Sequence, residues 1–212
     1  MSRRPTEHAL RRELSTLSQE VWRRGWVANH DGNLSARLGE DRILATPTAL
    51  SKRVIEPHMI LVLNDQGAVI RGQLRPFSEL NLHLEVYRAR DVGAVLHAHP
   101  PYATARAVAR KALPCFLPEA VVSLGLEVPL VPFAPPGPTA ADAVRPFVGR
   151  HDGLLLANHG VLTWGVDPEQ AYLRMELIEH LSRIAQLAGA VESLPAEVTA
   201  PLLAARRRAG LA

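Results

Sequence analysis

The sequence predicts a mixed α/β or α+β domain in which helices cover a mixed β-sheet. Three observations lead to this prediction. The early apolar runs are joined by short turns, as in hairpins, whereas the later runs alternate with helical patterns. Of the 212 residues, 47% are hydrophobic, which is enough to bury a substantial core. The Pro/Gly loop at residues 134–138 is too short to separate two domains, so we expect residues 1–212 to form a single one.

The N-terminal part of the chain predicts one helix followed by short strands. Helical spacing is seen for four apolar residues, Leu10, Leu14, Leu17 and Val21. They predict a helix over residues 6–27, with Thr6 as its N-cap. Residues 32–46 have the short apolar runs and glycine-containing turns of strands. The apolar runs at 59–63 and 68–70 flank an Asn-Asp-Gln-Gly turn, which is a strong hairpin signal.

The rest of the chain alternates between helical and strand-like patterns. An apolar stripe predicts a helix over residues 78–90, with Ser78 as its N-cap. Residues 93–99 predict a strand, and the Ala- and Arg-rich residues 102–112 predict a third helix. Two apolar stretches follow without an assignment, at 119–124 and 128–133. The remaining predicted elements are a helix at 139–149 capped by Thr139, strands at 153–157 and 161–164, and helices at 168–190 and 196–208.

Composition and charge exclude several classes of function. The 24 Lys+Arg and 21 Asp+Glu residues give a net charge of +3, which is too small to indicate nucleic-acid binding by itself. Basic pairs such as Arg11-Arg12 and Arg23-Arg24 are scattered, without interleaved aromatic residues. The single cysteine, Cys115, excludes an intrachain disulfide and a CxxC metal site. No apolar run reaches the roughly 18 residues of a membrane helix, and the start lacks the apolar stretch of a secretory signal, so we expect a cytoplasmic protein.

His97 and His99 are the first candidates for a functional site. Alternate side chains of a strand share a face, so these two imidazoles project together from roots about 6.5–7 Å apart. That spacing lets both nitrogens reach one ion at about 2.0–2.1 Å. Pro100-Pro101 ends the strand just beyond, which places the pair at a sheet edge where a cavity can form. Two half-buried, hydrogen-bonded histidines would give the same pattern, so the pair alone leaves both interpretations open.

His159 is the third histidine of interest, because it follows a buried apolar run and precedes Gly160 at the mouth of a strand. It is either a turn histidine or a third metal ligand. Three neutral imidazoles favour a borderline-soft ion, with zinc as the leading candidate. A site with three protein ligands leaves one position open for water or substrate, which is typical of catalysis.

Glu79 and a glycine-containing turn complete the candidates. At the start of the predicted helix, Glu79 gains from the helix dipole, and beside a divalent cation it could ligate the metal or act as a general base. His83, four residues later on the same helix face, is a rival ligand. The stretch Gly32-Asn33-Leu34-Ser35 is either an ordinary tight turn or a backbone concavity that suits phosphate.

Five motifs, in their order along the chain, resemble those of the class II aldolase/adducin family. They are Gly32-Asn33-Leu34-Ser35, Thr46-Pro47-Thr48, Arg75-Pro76-Phe77-Ser78-Glu79, His97-Ala98-His99-Pro100 and Asn158-His159-Gly160. The likeness spans roughly residues 8–192. Each motif alone is weak, whereas their combination and order are specific.

The resemblance implies an αβα three-layer sandwich with a central, mostly antiparallel sheet, and a homotetramer with sites near subunit interfaces. His97, His99 and His159 match the family's zinc ligands, although Mn²⁺ or Co²⁺ could replace zinc. Glu79 matches the catalytic acid/base, which can also reach the metal when no substrate is bound. Four further positions match residues that hold the substrate phosphate: Gly32, Asn33, Thr48 and Ser78.

The resemblance further implies an aldehyde-lyase of carbohydrate metabolism. Retro-aldol cleavage breaks a carbon–carbon bond and leaves an enediolate, whose negative charge a divalent cation stabilises as a Lewis acid. A carboxylate shuttles the proton at carbon or oxygen. The substrate class is then a sugar phosphate or a related hydroxy-keto compound.

Four departures from the family pattern affect the substrate pocket. Phe77 stands where the family usually has a serine, and Ala49 where it usually has a glycine. The segment 115–119 and the C-terminal tail lack the tyrosines of the family's aldolases. These changes leave open another phosphorylated sugar or a non-phosphorylated hydroxy-keto acid. Arg75 or Arg53 could compensate as an anion partner.

Three other functions compete with an aldolase. A decarboxylase on the same scaffold also needs only an enolate-stabilising metal. Pentose-phosphate 4-epimerases of the family carry Asp at the position of Glu79, so the sequence favours an aldolase over an epimerase. Non-catalytic modules like the adducin head have lost the metal histidines, all three of which are present here.

Overall fold

Seven α-helices and ten β-strands are found in the part of the chain that the computed structural model describes, residues 5–135 and 137–211. The helices are α1 (Glu7–Arg23), α2 (Leu80–Ala89), α3 (Pro101–Val108), α4 (Pro118–Leu124), α5 (Pro138–Val148), α6 (Pro168–Ala188) and α7 (Ala196–Arg208). The strands are β1 (Asn33–Arg37), β2 (Arg42–Ala45), β3 (Leu61–Asn64), β4 (Val69–Arg71), β5 (Ala94–Ala98), β6 (Leu113–Pro114), β7 (Glu127–Val128), β8 (Leu130–Val131), β9 (Gly153–Leu156) and β10 (Gly160–Gly165). Two expectations fall partly outside the described residues. Residues 1–4 belong to the segment expected to lack a secretory signal, and Pro136 belongs to the Pro/Gly loop at 134–138.

The central sheet has eight strands in the order β4-β3-β2-β1-β5-β10-β9-β8. Every neighbouring pair is antiparallel except β8 and β9, which are parallel. Helices α1, α3 and α6 cover one face of the sheet, and α2 and α5 cover the other. The fold is therefore an αβα sandwich around a mostly antiparallel sheet, which confirms the predicted α/β class.

The alternation of side chains along β5 separates the two cores. Leu96 and Ala98 belong to the core beneath α1, α3 and α6, whereas Val95 belongs to the core beneath α2 and α5. Since alternate residues share a face, His97 projects from the same face as Val95. The strand therefore presents His97 to the layer that contains α2.

Two predicted N-caps are wrong. Thr6 does cap α1, through a hydrogen bond from the Ala9 amide to its side chain. In α2, however, Glu79 occupies the cap position instead of Ser78 and makes no capping hydrogen bond with its side chain. Helix α5 begins at Pro138, so its cap is Gly137 with φ 109°, instead of Thr139. Proline is favoured at the first helical position, and it fixes the start of this helix.

Backbone turns shorten two predicted helices. The predicted helix at 6–27 ends at Arg23, because Gly25 adopts a φ of 70° and redirects the chain. The predicted helix at 102–112 ends at Val108, and Arg110 has a φ of 59°. The unassigned apolar stretch at 119–124 forms helix α4.

One buried carboxylate, Asp152, ties the C-terminal helix to the rest of the fold. It is 1% exposed, and the guanidinium groups of Arg90 and Arg174 each lie 3.2 Å from it. Arg206 of α7 also donates to it. Further N–H groups of all three arginines donate to backbone carbonyls, so the three cations are held by one carboxylate and the peptide backbone.

Among the helices of residues 5–135 and 137–211, none is long and apolar enough to cross a membrane.

We expect Asp152→Asn to lower the free energy of unfolding by about 3–5 kcal/mol, because it leaves two buried guanidiniums, Arg174 and Arg206, and the half-buried Arg90 without their anion. Denaturant-induced unfolding measures the change. The matched control is Asp142→Asn, at an ion pair whose carboxylate side chain is 63% exposed, and it should barely change the stability. Equal losses in both variants would contradict a structural role for the buried carboxylate.

Candidate functional site

His97 is the fourth residue of β5, an interior strand of the sheet, and His99 directly follows the end of that strand. Their rings share a face, with centroids 4.9 Å apart and the two Nε2 atoms 3.0 Å apart. The Nδ1 atom of the fully buried His97 is 2.9 Å from the Val161 carbonyl oxygen. Because a carbonyl only accepts, Nδ1 carries the hydrogen, and Nε2 offers its lone pair to the space between the rings.

His159 completes a three-histidine cluster. It lies in the turn between β9 and β10, which Asn158 closes with a φ of 57°. Its ring centroid is 4.6 Å from that of His97 and 5.1 Å from that of His99. One nitrogen of each ring lies within 4.8 Å of the other two, which is a spacing that one metal ion can bridge.

Gly160 makes room for this cluster. A Cβ at this position would lie 2.5 Å from Cδ2 of His99 and 2.6 Å from the Ala98 carbonyl oxygen. Both distances are shorter than van der Waals contact allows, and the second involves backbone that cannot move aside easily. The glycine that follows His159 is therefore the residue that lets β10 lie beneath the ring of His99.

The carboxylate of Glu79 enters the cluster from the start of α2. Its Oε1 is 2.6 Å from Nε2 of His159 and 3.3 Å from Nε2 of His97. Its Oε2 accepts a hydrogen bond of 2.8 Å from Nδ2 of Asn33. Burial alone would raise the pKa of Glu79, but the charges and hydrogen bonds of His97 and His159 outweigh it and hold the pKa far below the usual range. Glu79 is therefore ionised.

The pKa values of His97 and His99 shift in opposite directions. Burial, and then the charges of His97 and His159, lower the pKa of His99 to about 3, so its ring is neutral. Burial also disfavours a charge on His97, but the Glu79 carboxylate outweighs this effect and raises the pKa of His97. A proton and a metal ion would thus compete for the same nitrogen of His97.

Three of the predicted phosphate-binding residues, Gly32, Thr48 and Ser78, lie outside strands and helices at this end of the sheet, and Asn33 begins β1. Gly32 has a φ of 72°, and a Cβ there would lie 2.4 Å from Cγ1 of Val27. The Thr48 amide donates to the Arg75 carbonyl, which brings the Thr48 loop beside the segment that leads to Ser78. The side-chain amide of Asn33 donates one of its hydrogens to the carboxylate of Glu79.

Three expectations about neighbouring residues change. Phe77 is buried, with its ring 4.8 Å from that of His83 in the core. His83 itself is outside the three-histidine cluster, and its Nδ1 lies 2.7 Å from Oγ of Ser35. The guanidinium of Arg53 lies over the ring of Trp22, which occupies it elsewhere.

Asp31 is a residue of the site that the sequence did not single out. Its Oδ2 lies 3.7 Å from Nδ1 of His99, on the ring edge opposite the cluster. This separation is longer than a hydrogen bond, so Asp31 is a charged neighbour of the His99 ring and not its hydrogen-bond partner. Its place directly before Gly32-Asn33 is the only signal in the sequence that could have pointed to it.

The family model for the class II aldolase and adducin N-terminal domain matches residues 12–186. The chain belongs to the class II aldolase/adducin family. It is 32% identical over 166 residues to an L-fuculose phosphate aldolase of Methanococcus maripaludis, covering 77% of this chain and 89% of that protein. A 3-oxo-tetronate 4-phosphate decarboxylase of Escherichia coli is 29% identical over 190 residues, covering 86% of this chain and 89% of that protein. The solved structure of an L-fuculose 1-phosphate aldolase superposes with a TM-score of 0.86 at 27% identity, covering 94% of this chain and 96% of the other.

As an enzyme of the class II aldolase superfamily, the protein is expected to use a divalent metal, and the donor set of the three-histidine cluster fits one. Two nitrogens bound to one tetrahedral zinc ion at about 2.0–2.1 Å are roughly 3.3 Å apart. The Nε2 atoms of His97 and His99 are already 3.0 Å apart, and the tautomer of His97 directs its lone pair toward this space. The cluster is therefore preformed for a cation.

We expect Gly160→Ala to weaken binding of a divalent cation about 10-fold or more, because the added methyl group displaces the ring of His99. Titration of the metal-free protein with Zn²⁺ in the presence of a competing chelator measures the affinity. Gly149→Ala is the matched control, since a Cβ at Gly149 meets nothing within 4 Å. Unchanged affinity in Gly160→Ala, with the fold verified by circular dichroism, would contradict this role for the glycine.

Proposed function

We propose that the protein is a metal-dependent aldolase that cleaves a sugar phosphate or a related hydroxy-keto substrate, as an L-fuculose-phosphate aldolase-like aldehyde-lyase. The observation that carries the proposal is the contact of the ionised Glu79 carboxylate with two histidines of a cluster that fits a divalent cation. An acid/base group and a cation site are thereby held within one hydrogen bond of each other. That pairing is what cleavage of a carbon–carbon bond next to a carbonyl requires.

His97, His99 and His159 would hold one divalent cation, with zinc preferred by three imidazoles and Mn²⁺ or Co²⁺ as alternatives. When bound, the cation supplies a Lewis acid that stabilises the negative charge of an enediolate. Gly160 would keep room for the ring of His99. Class II aldolases use a divalent metal, so the three histidines would serve catalysis.

Glu79 would carry the proton. In cleavage, the ionised Glu79 carboxylate would accept the proton of the substrate hydroxyl as the carbon–carbon bond breaks. The hydroxyl oxygen becomes the aldehyde oxygen, and the electron pair of the broken bond remains on the enediolate. Glu79 then returns a proton to the enediolate carbon, and in the direction of synthesis it removes one. Asn33 would fix the carboxylate through its hydrogen bond to Oε2, which leaves Oε1 directed at the three-histidine cluster.

Gly32, Asn33, Thr48 and Ser78 would bind the anionic end of the substrate, since their loops meet at the same end of the sheet. The family resemblance further supports a single domain over residues 1–212, a homotetramer and a cytoplasmic enzyme. A homotetramer would place the loops of one subunit near those of another.

A decarboxylase is the second candidate function. The observation that favours it is the 3-oxo-tetronate 4-phosphate decarboxylase among the relatives, at an identity close to that of the aldolase. Both reactions pass through an enolate-type anion beside a carbonyl. They differ in the fragment that leaves, which is an aldehyde in one and carbon dioxide in the other.

A panel of phosphorylated and non-phosphorylated sugars and keto acids, assayed for both kinds of product, separates the two functions. Release of dihydroxyacetone phosphate or pyruvate together with an aldehyde supports the aldolase. Release of carbon dioxide without an aldehyde would replace it with the decarboxylase.

We expect about one divalent ion per chain in the purified protein, and its loss together with turnover in His97→Ala. The reason is that a single remaining pair of imidazoles binds a catalytic cation weakly. Metal analysis by mass spectrometry and the aldolase assay measure the two effects. The control His58→Ala alters an exposed histidine and should retain both. Full activity in a preparation stripped of metal would refute the metal-dependent mechanism.

We expect Glu79→Gln to keep the metal but to lower kcat about 10²–10⁴-fold, because an amide cannot accept and return a proton. Steady-state kinetics on the metal-loaded variant measure the loss. Glu197→Gln removes an exposed carboxylate from the first turn of α7 and serves as the control for a change of helix-end charge. A wild-type kcat in Glu79→Gln would rule out its acid/base role.

A further inference from the structure

Lys52 is a buried cation beside the candidate site that the proposed mechanism does not use. The residue is 1% exposed and begins the short 3-10 helix at residues 52–54. Its Nζ donates to the carbonyl oxygens of His30 and Leu50, both at 3.2 Å. His30 lies two residues before Gly32, and Leu50 lies two residues after Thr48. The ammonium group therefore links the two loops that carry the predicted phosphate-binding residues.

The charge of Lys52 has no close partner in the part of the chain that the structure describes. Its two hydrogen bonds go to neutral carbonyls, and within residues 5–135 and 137–211 no carboxylate forms an ion pair with it. Burial lowers the pKa of Lys52 to about 8, against the opposing charges of Asp31 and Glu79. A buried ammonium with one hydrogen to spare and no paired anion is costly, and an anionic ligand removes that cost.

The loop that Lys52 holds is also the loop that contacts the three-histidine cluster. Asp31 lies 3.7 Å from His99, and Asn33 donates to Glu79. The charges of Asp31 and Glu79 act on Lys52. An anion bound between the two loops would therefore lie on the side of the three-histidine cluster that Asp31 and Asn33 contact.

We propose that the ammonium group of Lys52 is the cationic partner of the substrate's phosphate group, with Gly32, Asn33, Thr48 and Ser78 as neutral donors around it. The inference rests on the proposed function, because it assumes that a phosphorylated substrate binds at this end of the sheet. Lysine binds phosphate as a point charge, so one ammonium would offset half the charge of a phosphate dianion, while neutral donors bind its remaining oxygens. Lys52 would thus supply the charge that Arg53, stacked on Trp22, does not.

The scarcity of lysine in this chain allows a direct test without substrate. Lys52 and Lys111 are its only lysines, and Lys111 is exposed, so protein labelled with ¹³C-lysine gives two side-chain Cε signals in an NMR spectrum. Lys111→Arg assigns them by removing one. Inorganic phosphate is then titrated into the metal-loaded wild-type protein, with glycolate as the carboxylate comparison.

We expect phosphate to shift the Lys52 signal saturably and to leave the Lys111 signal in place. A Lys52 signal that does not respond to phosphate would overturn the proposal. An equal response to glycolate at the same concentration would overturn the choice of phosphate over a carboxylate. Because the wild-type protein is used, the result does not depend on whether a variant folds.

Kinetics of variants give the second readout. Lys52→Met should raise the KM of a phosphorylated substrate about tenfold or more while kcat changes little, and Lys52→Arg should restore most of the affinity, because it keeps the charge. Lys111→Met is the matched control and should match the wild type. A loss of kcat in Lys52→Met without a change in KM, not restored by Lys52→Arg, would indicate a purely structural residue.

The two proposals fail in distinguishable ways. If no aldolase activity is found but phosphate still shifts the Lys52 signal, the proposed function fails and the phosphate site stands. If aldolase activity is found but phosphate leaves the signal unchanged, the role of Lys52 fails and the proposed function stands.

Discussion

The register between β5 and β10 is the constraint on which the candidate site depends. Ala98 opposes Val161 and His97 opposes Leu162, so the turn with His159 lies against the end of β5. On its other side, β5 pairs His97 with Asn33 of β1, which brings the partner of Glu79 to the same place. A slip of one residue would turn His97 to the opposite face and separate it from the other groups. The alignment of the strands therefore brings most of the cluster together, and the turn between β9 and β10 adds the ring of His159.

Much of the fold followed from local patterns. The period-2 rule correctly placed His97 and His99 on one face, and the Asn-Asp-Gln-Gly turn correctly predicted the hairpin of β3 and β4. The cap at Thr6 was also evident, since a threonine directly before an amphipathic pattern is a local signal. The three-layer arrangement came from the family resemblance, because no local pattern states which helix covers which face.

The parts that could not be predicted depend on partners distant in sequence. Ser78 has the right chemistry for a cap, but the cap position falls one residue later, at Glu79, whose carboxylate contacts His159 and Asn33 from distant parts of the chain. Asp31 and Lys52 are ordinary charged residues until the 30–33 loop and the 48–50 loop meet. Phe77 looked like a change in the substrate pocket, yet its ring belongs to the core beside His83. In each case the deciding contact joins segments that the chain separates.

The anchoring of α7 by Arg206 has a consequence for how this protein can be handled. Arg206 reaches the carboxylate of Asp152 and the carbonyls of the α4 turn from the third-last residue of its helix. A truncation that removes this last turn would take away a structural cross-link of the interior, although the turn itself looks like a dispensable surface tail. Beyond Arg208 the backbone leaves the helix, and the carbonyl of Leu211 still accepts a hydrogen bond from the guanidinium of Arg174. How far the C-terminus can be shortened is therefore set by the interior contacts of one side chain, Arg206, and not by how exposed the last turn of the helix is.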